Sequence, residues 1–374
     1  MSLDKTFITP ERYEEIKKAQ LNGPNGWLLF VACNSGVDLA RNVKKEYERK
    51  LTENKSSLLI VPLLDRAEDF DMLTKVFDDT ETKPRLRDHV AGSNAFVFQS
   101  LFNKADKTLV NDNLMQLYQV IRALKVHGAK KITAVTPYLS YVRQEKPTFG
   151  ERELTTAKLV ADLFIVSGMD DLLAYHLHTD SIKGIYEPHR VVALTGLDLF
   201  IELFERFKGI DDVIAVSTDA GGAKFTINLA KKLDIPYAIS SKYRPKEQVA
   251  DILGIVGDFG GKKVAIIADD ESVTFGSIFN ATKSLYESHG VHDIYVAISH
   301  NKLSKSAIPK LLEANEKYGL KELHVTDSVP QISDITELKF LKVHSLAERL
   351  ACTINRLHYD QSVSQIFYRL QKNK

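Results

Sequence analysis

The chain has 374 residues, more than one ordinary core holds, so two domains are expected. Fifty Lys+Arg offset 49 Asp+Glu to leave a net charge of +1, so no global field favours nucleic acid and any anion site is local. Only two cysteines (Cys33 and Cys352), without metal spacing, no secretion signal in the first ten residues and no apolar run of the roughly 18 residues a membrane helix needs point to a reduced cytoplasmic chain.

In chain order, apolar runs of strand length alternate with helical patterns. A strand is predicted over 27–32, a helix over 37–51, strands over 58–63 and 95–99, and a helix over 113–126. A strand over 131–136, a helix over 155–167 and a strand over 172–177 follow. The rhythm resumes after Pro188, with strands over 213–217, 237–240, 263–268, 294–299, 322–326 and 341–343. Helices are predicted between them, including 222–233, 277–289 and 346–358. The alternation argues for an α/β fold with mainly parallel sheets flanked by helices, whose ligands bind at the carboxyl ends of strands. Two polar stretches, 65–89 and 140–152, read as loops. Residues 254–261 read as turn chemistry, and no GxxxxGK[ST] or GxGxxG motif is present.

Several strand ends carry charge. Over 263–277 a buried strand ends in Asp269 and Asp270, a short loop places hydroxyls of Thr274 and Ser277 around Gly276, and a helix begins. Backbone N–H groups at a helix start cradle a phosphate, and strand-end carboxylates accept hydrogen bonds from sugar hydroxyls. A sugar-phosphate site fits; so does a strand ending in solvated acids with a serine cap. Asp219 likewise separates a strand from a helix, where Gly221 and Gly222 allow close backbone approach to an anion. It can hold a divalent cation through water or simply cap the helix. Lys242 and Arg244 follow a third strand, suited to charge on a transferring phosphoryl group or to a solvated basic turn. His176 and His178 share a face if their strand stays regular, and no third zinc ligand is spaced for them. Arg143 leaves another strand near Tyr138 and Tyr141, suited to a nucleotide or a subunit contact.

These stretches, in this order, resemble the ribose-phosphate pyrophosphokinases from about Phe77 to Phe367. Phe77-Asp78-Asp79-Thr80-Glu81 resembles the family's adenine-contacting FSDGE loop, and Asn111-Asp112-Asn113-Leu114-Met115 its NDNLME helix start. The segment from Pro137 to Glu145 is similar to PYxxYARQD, whose Arg and Gln contact ATP. His176-Leu177-His178 stands where the family has Asp-Leu-His, its last His serving the metal. Ser217 to Gly222 resembles the SPDxGG loop, Lys242-Tyr243-Arg244 the Lys-Arg-Arg of a flexible loop, and Asp269 to Ser277 the DDxxDTAGT loop.

The resemblance implies two tandem phosphoribosyltransferase-type domains, 25–188 with the ATP loops and 189–374 with the ribose 5-phosphate loop. It implies transfer of the diphosphoryl group of Mg-ATP to ribose 5-phosphate, giving 5-phosphoribosyl 1-diphosphate and AMP. Phe77, Asp79, Glu81, Arg143 and Gln144 would bind ATP, and His178 and Asp219 would hold Mg2+. Asp219, Gly221 and Gly222 would form the diphosphate loop. Asp269, Asp270, Thr274, Gly276 and Ser277 would bind ribose 5-phosphate, with Lys242 and Arg244 catalytic. A homo-oligomer, dimer or hexamer, is implied too, with the adenine loop reaching a neighbouring subunit.

The chain departs from the family pattern at Val273 (an acid in the family), Phe275 (Ala or Gly), His176 (an acid) and Thr80 (Gly). The Arg-rich segment over 146–151 is changed, which bears on regulation by phosphate and nucleotide. Two rival readings stand beside the kinase. One is a family member that binds nucleotide and regulates active partners without turnover, favoured by Val273 and His176. The other is a phosphoribosyltransferase, which shares the loop at Asp269 but needs only one domain.

Overall fold

The computed structural model describes residues 8–65, 73–104, 109–243 and 252–364. The first half runs α1 (Pro10–Lys18), β1 (Asn22–Gly23), β2 (Gly26–Ala32), α2 (Val37–Glu53), β3 (Leu63–Leu64), β4 (Thr74–Val76), β5 (Thr82–Pro84) and β6 (Ser93–Phe98). It continues with α3 (Val110–Val126), β7 (Lys131–Val135), α4 (Thr156–Ser167), β8 (Asp171–Tyr175), α5 (Ile182–Ile185) and β9 (Arg190–Leu194). Then come α6 (Leu197–Phe204), β10 (Val213–Ser217), α7 (Ala223–Leu233), β11 (Tyr237–Tyr243), β12 (Ile252–Val256), β13 (Val264–Ser272) and α8 (Gly276–His289). The chain proceeds through β14 (Asp293–Asn301), α9 (Ile308–Lys317), β15 (Leu320–Thr326), α10 (Ser333–Thr336), β16 (Leu341–His344) and α11 (Ala347–His358).

Among the described residues two seven-stranded sheets form, beside the β4–β5 hairpin. The first has the order β1-β2-β6-β7-β8-β9 with β3 also on β2; the second has β12-β11-β10-β13-β14-β15-β16. In each, one edge strand is antiparallel (β1 on β2, β12 on β11) and the other pairings are parallel. Parallel strands covered on both faces read as unbroken apolar runs, as Ala265–Ala268 and Leu28–Ala32 do. A middle core lies between the sheets. It joins Phe30, Phe96 and Leu173 of the first to Ala215, Ile266 and Ala297 of the second, with Tyr47, Leu350, Ile354 and Leu357 from the helices. Helix α11 thereby closes on the first half of the chain. Asn355 donates to the Tyr47 hydroxyl (2.8 Å), and His358 Nε2 meets the Leu21 carbonyl (3.1 Å).

The expected α/β class with mainly parallel sheets is observed, and four local expectations need correction. The strand expected over 58–63 shrinks to Leu63–Leu64: Pro62 has no N–H for a ladder, and Ile60 is 77% exposed. The stretch 65–89 includes a hairpin, β4 against β5. Residues 254–256 are strand, paired with 239–241, so only the remainder of 254–261 turns. That pairing extends β11 to Tyr243 and places the backbone of Lys242 in a strand opposite Leu253, not after one. Strand β9 pairs with β8 at the edge of the first sheet.

Candidate active site

Two adjacent strands of the second sheet supply the site. β10 ends at Ser217 and β13 beside it carries Asp269 and Asp270; from the first sheet, the segments after β7 and β8 bring Arg143 and His178 to the same place. Between them lies a cleft of about 440 Å3 lined by Arg143, His178, Asp219, Gly221, Gly222, Asp269, Asp270, Thr274, Gly276 and Ser277 among others.

The acids are held in defined poses. Asp269 Oδ2 accepts from the Thr218 hydroxyl (2.9 Å), and its Oδ1 accepts the Asp270 N–H (2.9 Å). Asp270 Oδ2 meets His178 Nδ1 at 2.6 Å. Burial, reinforced by the Asp270 charge, pushes the Asp269 carboxyl well above the usual carboxylate range. At Asp270 burial acts the same way, but the His178 hydrogen bond and charge overcome it and hold the carboxyl low. The hydrogen bond to Asp270 in turn raises the His178 imidazole. Asp219 accepts the Gly222 N–H through Oδ1 (3.0 Å), and a β-carbon on Gly222 would stand 3.0 Å from Ser217 Oγ, so the loop before α7 is packed to glycine dimensions. Thr274 Oγ1 accepts the Gly276 N–H (3.4 Å) at the start of α8, and Phe275 between them is in the left-handed region (φ +60°) with its ring fully buried.

The two histidines do not share a strand face. β8 stops at Tyr175, and His176 takes φ +42°, which turns the chain. His176 is half-buried, stacked on Phe225 (4.5 Å between rings) and hydrogen-bonded to Ser299, and loss of solvent around the ring lowers its pKa to about 4. Of the residues expected to bind ATP, Arg143 lines the cleft; Gln144 is exposed and does not. Phe77, Asp79 and Glu81 sit at the exposed tip of the β4–β5 hairpin, outside the cleft lining. There the Glu81 N–H donates to Asp79 Oδ1 (3.1 Å) and Thr80 takes φ +73° in the place of a glycine. Arg244 lies outside the described residues, as does the side chain of Lys242.

Sequence reasoning passed over Glu271 and Lys302. β13 runs on to Ser272 and carries Glu271 inside, where Lys302 Nζ meets Oε2 at 2.6 Å and Arg143 meets Oε1. By alternation along a strand, Asp269 and Glu271 share one face and Asp270 takes the other, so the acid triplet alone does not single out Glu271.

The cleft thus combines carboxylates and helix-start N–H groups of the second sheet with Arg143 and His178 of the first, which suits a phosphorylated sugar beside a second polyanion. Known proteins settle the family. A family model described as the N-terminal domain of ribose phosphate pyrophosphokinase matches residues 28–168, and the phosphoribosyl synthetase-associated domain matches 219–368. The chain belongs to the ribose-phosphate pyrophosphokinase family. A ribose-phosphate pyrophosphokinase of Caldanaerobacter subterraneus is 37% identical over 78% of this chain and 88% of its own. That of Hyphomonas neptunium is 35% identical over 91% of this chain and its whole length. The crystal structure of phosphoribosylpyrophosphate synthetase from Mycobacterium smegmatis superposes with a TM-score of 0.75 at 30% identity, covering 89% of this chain and 99% of the other. The expectation of an enzyme of this family, a kinase-type transferase of nucleotide biosynthesis, is met. No helix among the described residues is long and apolar enough to cross a membrane.

Proposed function

We propose that this ribose-phosphate pyrophosphokinase relative transfers the diphosphoryl group of Mg-ATP to the anomeric hydroxyl of ribose 5-phosphate. The observation that carries the reading is the single cleft that gathers Asp269, Asp270, Thr274, Gly276 and Ser277 with Asp219, Gly221, Gly222, His178 and Arg143. Asp269 and Asp270 accept hydrogen bonds from the ribose hydroxyls. Thr274, Ser277 and the N–H groups at the start of α8 hold the 5-phosphate. Gly221 and Gly222 let the backbone approach the diphosphate, and Arg143 holds the nucleotide phosphates. The anomeric hydroxyl releases its proton to solvent as its oxygen bonds to the β-phosphorus, the bond from that phosphorus to the α-phosphate oxygen breaks, and AMP departs. Lys242 and Arg244 stabilise the transferring charge. Positioning and electrostatics supply most of the rate in such a transfer.

Magnesium carried by a phosphate chain keeps several waters and takes one or two carboxylates. Half-exposed Asp219, with His178 nearby, suits that demand, whereas no cluster of three or more potential ligands stands among the described residues. The residues fit a phosphate-borne ion and not a protein cage. When bound, it would neutralise charge on the transferred group.

The exposed tip of the β4–β5 hairpin accords with an adenine loop that completes a neighbouring subunit's site in a homo-oligomer, dimer or hexamer, of a cytoplasmic enzyme. A second reading, nucleotide binding without turnover, is favoured by Val273, an apolar side chain on the cleft where the family carries an acid. AMP formation from Mg-ATP and ribose 5-phosphate decides between them. Turnover that collapses in Lys242→Ala supports transfer; ATP binding with no AMP from the wild type would sink it.

A further inference from the structure

Glu271 is the least accessible charge in the cleft, its side chain 3% exposed, and it is held by two cations from different parts of the fold. Lys302, itself 8% exposed, follows β14; its Nζ stands 2.6 Å from Glu271 Oε2, donates to the Tyr138 hydroxyl (2.9 Å) and lies 4.5 Å from the centre of that ring. Arg143, 55% exposed, pairs with Glu271 Oε1 from the other side. Tyr138 and Arg143 belong to the segment after β7 of the first sheet, Glu271 and Lys302 to the second.

Stability is a poor account of this cluster. A buried ion pair gains little over apolar residues of the same volume, because desolvation offsets most of the attraction. Its geometric effect is clear. An arginine on a half-exposed loop has many rotamers, and here one end of its guanidinium is fixed by a carboxylate that cannot itself move, being clamped by Lys302. The Glu271 N–H also donates to Asp270 Oδ1 (2.8 Å), so the clamp is built on the strand that carries the acids of the sugar-phosphate loop.

We infer that Glu271, held by Lys302, is a positioning residue for Arg143 and sets the nucleotide-side cation against the sugar-phosphate strand. The inference rests on the reading that Arg143 contacts the nucleotide. The test compares wild type, Arg143→Ala, the double variant Glu271→Met with Lys302→Met, and the triple combination, by titration calorimetry with Mg-ATP and by thermal unfolding. In the double variant the melting temperature is expected to stay at or above that of the wild type, while the dissociation constant for Mg-ATP rises roughly tenfold, about one charge-assisted contact. Arg143→Ala should weaken ATP to a similar extent, and the triple variant no further, since both changes remove one interaction. Glu271→Gln, which keeps size and removes charge, should show the same rise if the double variant folds poorly. Wild-type ATP affinity in a folded Glu271 variant, with Arg143→Ala weakened, would overturn the positioning role alone. Unchanged ATP affinity in Arg143→Ala would overturn the nucleotide reading of Arg143 and the inference with it.

Discussion

Phe275 occupies a position that most side chains avoid. At φ +60° and ψ +6° a β-carbon costs roughly 1–2 kcal/mol, and full burial of the ring returns about 2–3 kcal/mol. Phe275→Ala removes the ring, leaves a cavity in the outer core beside Ile278 and Leu303, and keeps the backbone strain; a loss of about 3–5 kcal/mol is expected. Phe275→Gly loses the same ring but relieves the strain. Elsewhere alanine outperforms glycine by about 0.5–1 kcal/mol. Here the order should invert, with Phe275→Gly more stable than Phe275→Ala by about 1 kcal/mol. Urea unfolding of the three proteins, followed by far-ultraviolet circular dichroism, reads the difference directly. An alanine variant as stable as the glycine variant, or more so, would refute the argument that conformation, and not ring packing alone, sets the energetics of this loop.

Val273→Asp should restore a carboxylate to the cleft and lower the KM for ribose 5-phosphate by roughly tenfold, the scale of one charged hydrogen bond; an unchanged KM in steady-state assays would remove Val273 from the sugar site. Gly23→Ala would set a β-carbon 2.5 Å from the backbone carbonyl oxygen of His358, so α11 must shift, and a loss of about 1–3 kcal/mol in chemical unfolding is expected. His358 is kept neutral by burial, with its pKa lowered from 6.5 to about 4. The unfolded chain therefore takes up a proton that the folded chain refuses as the pH falls through 6.5, and this group's contribution is lost toward acid, by about 2 kcal/mol between pH 7.5 and pH 5. His358→Gln should flatten the dependence of unfolding free energy on pH by that amount; parallel curves for the two proteins would show that His358 is not the group responsible.

Much of the fold was legible because doubly covered parallel strands leave apolar runs that turn residues bound sharply. β2, β6, β7, β10 and β13 were each found within a few residues. The misses share a cause in tertiary context. β11 extends through Ser240–Tyr243 because β12 pairs with it, a partnership that a polar stretch does not announce. Residues 58–63 have the composition of a strand, but nothing pairs with most of them. The sugar-phosphate and diphosphate loops were visible as acids and glycines at strand ends. The burial of Glu271 against Lys302, 31 positions along the chain at the end of a neighbouring strand, and the turn at His176 were not, because strand pairing and backbone reversal at these points leave no local residue pattern.

The docking of α11 on α2 carries a cost in time. Tyr47, Leu28 and Phe30 leave the ribosome early, while Leu350, Ile354 and Leu357, which share their core, follow some 300 residues later. At roughly 5–20 residues per second that gap lasts about 15–60 s. Once β9 has been made the first sheet is complete, yet part of the face it shares with α2 still waits for α11. A nascent chain of this length is therefore a natural client for holding factors, and premature termination anywhere before α11 leaves an apolar face that no later segment covers.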